Sequence, residues 1–257
     1  MALSKNKIQF IISLQKKKVR DEEGFFIIEG DKIVREYILS DNKIKTLIAK
    51  PEFISGLPAD QTRKADEVIP VSYDELKKVS TLKTPHNAMA IVKIPEKSLN
   101  SPAVLKNLCI ALDFIQDPGN LGTIIRAAAW FGLKDIICSE TCVDVYNPKV
   151  IQATMGAILN VNVHYTSLPE FLNQAIETGT QVYGTVLDGE SIYSADLQKK
   201  GVILLGNESK GISEELVPLI TRKIMIPKYT DAQNGIDSLN AGMAASIVFS
   251  EFARRDH

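Results

Sequence analysis

Apolar residues recur at helical spacing between Ser4 and Lys18, where Ile8, Ile11, Ile12 and Leu14 predict one amphipathic helix. The run FFII (25–28) then reads as a short strand, and Ile33, Val34, Tyr37 and Ile38 place a helix over 30–39. KTLIA (45–49) and EVIPV (67–71) predict further strands. Ser72 followed by Glu75 carries the spacing of a capping box and opens a helix over 73–79. AMAIVKI (88–94) closes this α/β module as a strand. PEKSLNSPAVLKN (95–107) mixes proline, serine and asparagine between apolar runs, which is linker chemistry. The expected organisation is a domain over 1–97, a linker over 98–107 and a second domain over 108–257.

A second alternation begins with LCIALDF (108–114), a buried strand, followed by the loop IQDPGNLG and a helix at 121–131. Strand DIICS (135–139), helix PKVIQATMGAILN opened by Asn147-Pro148, and strand VNVHY (161–165) come next. A helix over 168–178 leads to strands QVYGTVL (181–187) and GVILLG (201–206). A short helix starts near Ser213, KIMIP (223–227) is the last strand, and a helix over 238–254 ends the pattern. Alternating strands and helices predict an α/β fold with a mostly parallel sheet covered on both faces. Such sheets bind ligands at the carboxyl ends of their strands, so the loops after 114, 187, 206 and 227 are the places to look.

Composition narrows the class. An apolar fraction of 45% with 24% charged residues is that of a folded globular chain. No apolar run approaches the roughly 18 residues of a membrane span, and the basic N-terminal stretch lacks the small-residue cleavage site of a secretory signal. Three cysteines, Cys109, Cys138 and Cys142, fit free thiols in a reducing cytoplasm. They have no partners at zinc-ligand spacing, so no metal is expected. The charges are unevenly spread. Residues 1–97 carry 18 Lys/Arg and 14 Asp/Glu, a net +4, against 12 and 17, a net −5, over 98–257. A basic front half permits a polyanion partner, while Lys16-Lys17-Lys18 taken alone reads as a solvated helix end.

Three loops hold candidate chemistry. In DFIQDPGNLGTIIRAAAWFG (113–132) neither the dinucleotide fingerprint nor the P-loop pattern is met. The unusual residue there is Arg126, a cation ahead of small apolar Ala127–Ala129; it is either functional or snorkelling from a buried helix. LLGNESKGISEE (204–215) ends a strand in Gly206 and presents Asn207 and Glu208 before Gly211, which read alone is an ordinary loop with an exposed Glu. In IPKYTDAQNGIDSLNAGMAASIVF (226–249), Ser238 is a candidate N-cap for a helix of small residues, suited to a subunit contact or to tight core packing.

In this order the three loops resemble the SpoU (TrmH-like) RNA 2′-O-ribose methyltransferases of the SPOUT superfamily. The residues that carry the likeness are Asn120-x-Gly122-x-x-x-Arg126, Gly206-Asn207-Glu208-x-x-Gly211, and Ile226-Pro227 followed by Ser238-Leu239-Asn240. The first domain resembles that family's N-terminal RNA-binding extension through FFIIEGDKIVREYI (25–38) and HNAMAIV (86–92). The resemblance implies a deep trefoil knot in the C-terminal sheet, a homodimer, and S-adenosylmethionine held by Thr185, Leu187, Gly206, Glu208, Ile226, Ser238, Leu239 and Asn240. The ten residues KYTDAQNGID (228–237) stand where many family members have about seven, so the contacts of this loop do not transfer.

The implied reaction is attack of a ribose 2′-oxygen of ribosomal or transfer RNA on the sulfonium methyl. By the resemblance, Arg126 stands beside the target ribose and Asn120 helps position it, while Glu208 and Asn240 organise the site by hydrogen bonding. A guanidinium stays protonated, so Arg126 suits a phosphate and developing negative charge better than proton removal. His86 and His164 are the tempting bases, but their places before and within strands favour structural roles. Two other classes share the scaffold: a catalytically silent RNA-binding or ribosome-assembly protein, and a methyltransferase acting on a base nitrogen.

Overall fold

The stretch expected as one helix over 4–18 forms two, α1 (Lys5–Ser13) and α2 (Lys17–Glu23). The break is built around Arg20, which is 2% exposed. Its guanidinium donates to the carbonyls of Leu14 (2.9 Å) and Gln15 (2.8 Å), groups that the end of α1 leaves without helical partners. Its charge is met by Asp144. A tertiary ion pair thus decides a local helix boundary.

The computed structural model describes residues 3–229 and 238–255. The chain forms two units: one runs up to Glu96 and includes Asp144–Leu159; the other holds Lys97–Val143 and continues from Asn160. The segment 144–159, expected within the second domain, therefore packs with the first. Besides the Arg20–Asp144 pair, the Tyr146 ring lies 4.6 Å from that of Phe26.

In the first unit, β1 (Phe25–Glu29), α3 (Asp31–Leu39), β2 (Ile44–Ala49), α4 (Pro51–Ser55), α5 (Ala59–Thr62), β3 (Ala65–Pro70), α6 (Tyr73–Val79) and β4 (Ala88–Lys93) follow in order. The sheet order is β1-β4-β2-β3, with β4 antiparallel to both neighbours and β2 parallel to β3. Ile27, Ile48, Met89 and Ile91 form its core with Ile11, Leu14, Leu76 and Val79. The capping box of α6 is complete, with the Glu75 amide donating to Ser72 Oγ and the Ser72 amide to Glu75 Oε2. The single turns α4 and α5 are too short to show a periodicity.

The second unit contains α7 (Ser101–Val104), β5 (Leu108–Leu112), α8 (Pro118–Trp130), β6 (Asp135–Cys138), β7 (Asn162–Tyr165) and α10 (Leu168–Glu177). It ends in β8 (Val182–Ser191), β9 (Gly201–Leu205), β10 (Arg222–Met225) and α11 (Ala241–Arg254), while α9 (Pro148–Thr154) lies in the first unit. The six strands are all parallel, in the order β10-β8-β9-β5-β6-β7. This is the α/β fold with a parallel sheet that the alternation predicts. Buried runs such as Cys109–Leu112 and Val202–Leu205 are what a sheet covered on both faces requires.

Four expectations need correction. The expected linker contributes α7, capped by Asn100, and buries Val104 and Leu105. The helix from Pro148 stops at Thr154, because Met155 and Gly156 turn left-handed (φ 51° and 91°), and a 3-10 turn follows at Ala157–Asn160. After Ser213 there is only a 3-10 turn, Val217–Leu219, where Pro218 has no amide to donate. The last helix is capped by Asn240 and not Ser238: Asn240 Oδ1 accepts from the amides of Gly242 (3.0 Å) and Met243 (3.3 Å). Residues 230–237, most of the long loop, lie outside the described residues.

Candidate active site

The carboxyl end of β9 is shaped by Gly206. A Cβ there would sit 2.3 Å from the Gly211 carbonyl carbon, so only glycine lets the following loop fold back this closely. Asn207 and Gly211 exchange backbone hydrogen bonds (3.0 and 2.9 Å), and Asn207 Oδ1 accepts from the amides of Ser209 and Lys210. Ser213 is tied back to β5 by its amide and hydroxyl, both 2.7 Å from the buried Asp113 carboxylate. The fold-back directs Glu208 toward α8.

Three expected site residues meet there. Asn120 Nδ2 donates to Glu208 Oε1, and Asn240 Nδ2 donates to Asn120 Oδ1 (2.7 Å). A carboxylate only accepts and a side-chain amide does both, so this chain of bonds fixes which way the Asn120 amide points. The Asn120 backbone amide is itself capped by Asp117 (2.8 Å), at the start of α8. Loops after β5 and β9 and the cap of α11, far apart in sequence, are joined through one amide.

Beside the chain lies a cavity of about 620 Å³, within the size range of small-molecule sites. Thr185, Leu187, Gly206, Glu208, Ile226, Ser238 and Leu239 all line it. Leu205, Ile212, Met225 and Val248 give it an apolar wall. The β8 register explains how Thr185 and Leu187 arrive. Gly184 pairs with Lys223 but Glu190 with Ile224, so residues 185–189 leave the ladder. Thr185 Oγ1 donates to the Leu204 carbonyl at 3.0 Å, and Asp188 is held by Lys223 at 2.8 Å. An apolar wall, strand-end backbone and one carboxylate suit a nucleoside-bearing cation, which is the chemistry of S-adenosylmethionine.

Arg126 stands apart from this group. It is on the exposed face of α8, about 9 Å along the helix from Asn120, and has no hydrogen bond or ion pair among the described residues. Arg222, Arg254 and Arg255 of the same unit are all paired with carboxylates. The small residues of α11 serve packing within the chain: a Cβ on Gly242 would meet Thr123 of α8 at 2.8 Å, and Ala245 and Phe249 are fully buried. Those positions are thus not free for a subunit contact, whereas Met243 is 59% exposed.

Neither histidine joins the site. His164 lies on the edge strand β7, 3.7 Å from Asp135, with its pKa lowered by burial; His86 is in the first unit near Gly30. The three cysteines are free and buried, and the described residues hold no cluster of three or more metal-ligating side chains. Sequence reasoning missed Asp113 and Asn207 as supports of the Glu208 loop. Asn207 belongs to the Gly206–Gly211 motif, whereas nothing around Asp113 in the sequence marks it.

A six-stranded parallel sheet with a cofactor-sized cavity at its strand ends defines the class: an α/β domain with a candidate small-molecule site in its strand-end loops. Residues 107–250 match the SpoU rRNA methylase family and residues 5–90 the MRM3-like substrate binding domain. The chain belongs to the SpoU rRNA methylase family. It is 29% identical over 236 residues to the 23S rRNA (guanosine(2553)-2′-O)-methyltransferase RlmP of Bacillus subtilis, covering 91% of each chain. A structure from Porphyromonas gingivalis assigned to the TrmH family of RNA methyltransferases superposes with a TM-score of 0.88 and 34% identity, over 99% of this chain and 100% of that one. An AdoMet-bound rRNA methyltransferase from Sinorhizobium meliloti superposes with a TM-score of 0.87 and 29% identity, over 100% and 97%.

Proposed function

We propose that this protein is an S-adenosylmethionine-dependent methyltransferase that modifies a ribose 2′-hydroxyl in ribosomal RNA. The observation that carries the reading is the Asn240–Asn120–Glu208 chain beside the 620 Å³ cavity, in a member of this family. Ribosomal RNA is favoured over transfer RNA because the Bacillus subtilis and Sinorhizobium meliloti relatives are both named for it.

Thr185, Leu187, Gly206, Glu208, Ile226, Ser238 and Leu239, which line the cavity, hold the cofactor, while Asn240, which is not in its lining, acts through Asn120. When bound, S-adenosylmethionine supplies an electrophilic methyl on a sulfonium and leaves as S-adenosylhomocysteine. Asn120, fixed from both ends, orients the ribose. Arg126 has no competing carboxylate among the described residues, so its guanidinium can hold the adjacent phosphate and stabilise charge developing on the 2′-oxygen. The hydroxyl proton is released to solvent as the methyl is transferred.

The active form is a homodimer built on the outer faces of α8 and α11. Trp130, 85% exposed, is one turn from Arg126, and Met243 is exposed on α11. The family resemblance adds the trefoil knot to the second unit and RNA affinity to the basic first unit. Mapping ribose methylation across ribosomal RNA with and without the gene tests the reading. Loss of one ribose methyl in ribosomal RNA is expected. An unchanged ribosomal map, or loss of a base methyl instead, overturns it.

A further inference from the structure

The loop between β5 and α8 contains a strained residue whose purpose the site described above does not use. Phe114 has φ 57°, in the left-handed region that a bulky side chain rarely adopts. It is held there from both sides: its amide donates to Ser139 Oγ (3.1 Å), and its carbonyl accepts from Asn207 Nδ2 (3.0 Å). Strain maintained by specific bonds beside an active site points to a function for what it displays. What it displays is a ring with the Lys210 ammonium 4.6 Å from its centroid.

Lys210 is on the fold-back loop, two residues after Glu208, and lines the cavity rim. A lysine on a loop ordinarily sweeps a wide volume, but the Phe114 ring face attracts and localises this ammonium. It has no ion pair among the described residues. The carboxylate closest to it in sequence, Glu208, is engaged by Asn120. Residues 98–257 carry a net −5, so a localised cation with no carboxylate partner among the described residues runs against the charge of this stretch.

We propose that Lys210, placed by Phe114, binds an RNA backbone phosphate beside the target nucleotide. The inference rests on the function proposed above and adds a second anion contact to that of Arg126. RNA is favoured over the cofactor's carboxylate because Ser209, Lys210 and Gly211 are all exposed, whereas Gly206, Asn207 and Glu208 are half-buried. The ammonium is therefore on the solvent side of the loop, where a polyanion passes.

Lys210→Gln and Phe114→Leu are to be compared with wild type for binding of deproteinised ribosomal RNA across a salt series, and for S-adenosylmethionine binding by calorimetry. For Lys210→Gln the expected result is several-fold weaker RNA binding, a salt slope shallower by about 0.7–0.9 and unchanged cofactor affinity. Phe114→Leu should move RNA binding in the same direction by less. Weakened cofactor binding with unchanged RNA binding would assign the ammonium to the cofactor's carboxylate and overturn the proposal. No change in either would overturn it as well. Methyl transfer by the wild type is measured in parallel. Its absence, with RNA binding and the Lys210 effect intact, would defeat the proposed activity and leave the phosphate contact standing.

Discussion

Arg20 in the first unit and Arg126 in the second are the same side chain put to opposite uses. Arg20 is buried, paired with Asp144 and donating to two helix-end carbonyls. Arg126 is exposed on α8 and meets no partner among the described residues. In the first unit Lys7 meets Glu67, Lys45 lies over Phe25 and Lys50 over Tyr73. In the second, Lys210 lies over Phe114 on the cavity rim, and Arg126, further along α8, meets no carboxylate among the described residues. A cation whose hydrogen bonds are all satisfied holds a fold together; one left unsatisfied beside a site is available to a ligand.

Substitutions at the two arginines should therefore fail in different ways. Arg20→Ala leaves Asp144 half-buried without its partner and exposes the break between α1 and α2. It should destabilise the protein by about 3–5 kcal/mol, read as a lower urea midpoint, while any surviving folded protein still binds S-adenosylmethionine. Arg126→Ala should leave the midpoint unchanged and reduce methyl transfer by about 10²–10³-fold, with cofactor affinity by calorimetry nearly intact. A large loss of cofactor affinity would place Arg126 in the cofactor site instead.

Smaller changes sharpen the contrast inside the second unit. Ala245→Leu should cost roughly 1–3 kcal/mol through overpacking against neighbours in the same chain, so the loss should appear in thermal unfolding irrespective of protein concentration. Asn240→Ala removes the cap of α11, costing about 1 kcal/mol. It also frees the Asn120 amide to rotate, so kcat should fall more than cofactor affinity does. The smallest effect concerns Glu75. Hydrogen bonds from the Ser72 and Leu3 amides hold its carboxyl below the usual range. A depressed folded pKa means its stabilisation is present above the unfolded value of about 4.3 and fades as pH falls through the folded value. The stability difference between wild type and Glu75→Gln should shrink on acidification, as followed by denaturant melts.

Elements whose signal is local were legible in the sequence. The capping box of α6, the buried strands β5 and β9 and the alternation that makes the sheet parallel all follow from neighbouring residues. Boundaries set by distant partners were not. The α1–α2 break depends on Asp144, and the end of α9 on two left-handed residues with no breaker of the proline kind. Ser238 and Asn240 are both good caps in isolation, and the bond from Asn240 to Asn120 favours the latter. The site shows the same division. Its motifs could be read in order, and seven of the expected residues line one cavity. The way Asn120 links Glu208 to Asn240, and the separation of Arg126 from all three, emerge only in three dimensions.

Methyl transfer to a ribose oxygen of RNA is the chemistry these groups are proposed to serve. Purified protein incubated with methyl-labelled S-adenosylmethionine and deproteinised ribosomal RNA, followed by digestion of the RNA to nucleosides, tests it directly. Label in a single 2′-O-methylnucleoside, absent with Arg126→Ala, is the predicted result; label on a base, or RNA that is bound and never labelled, would contradict it.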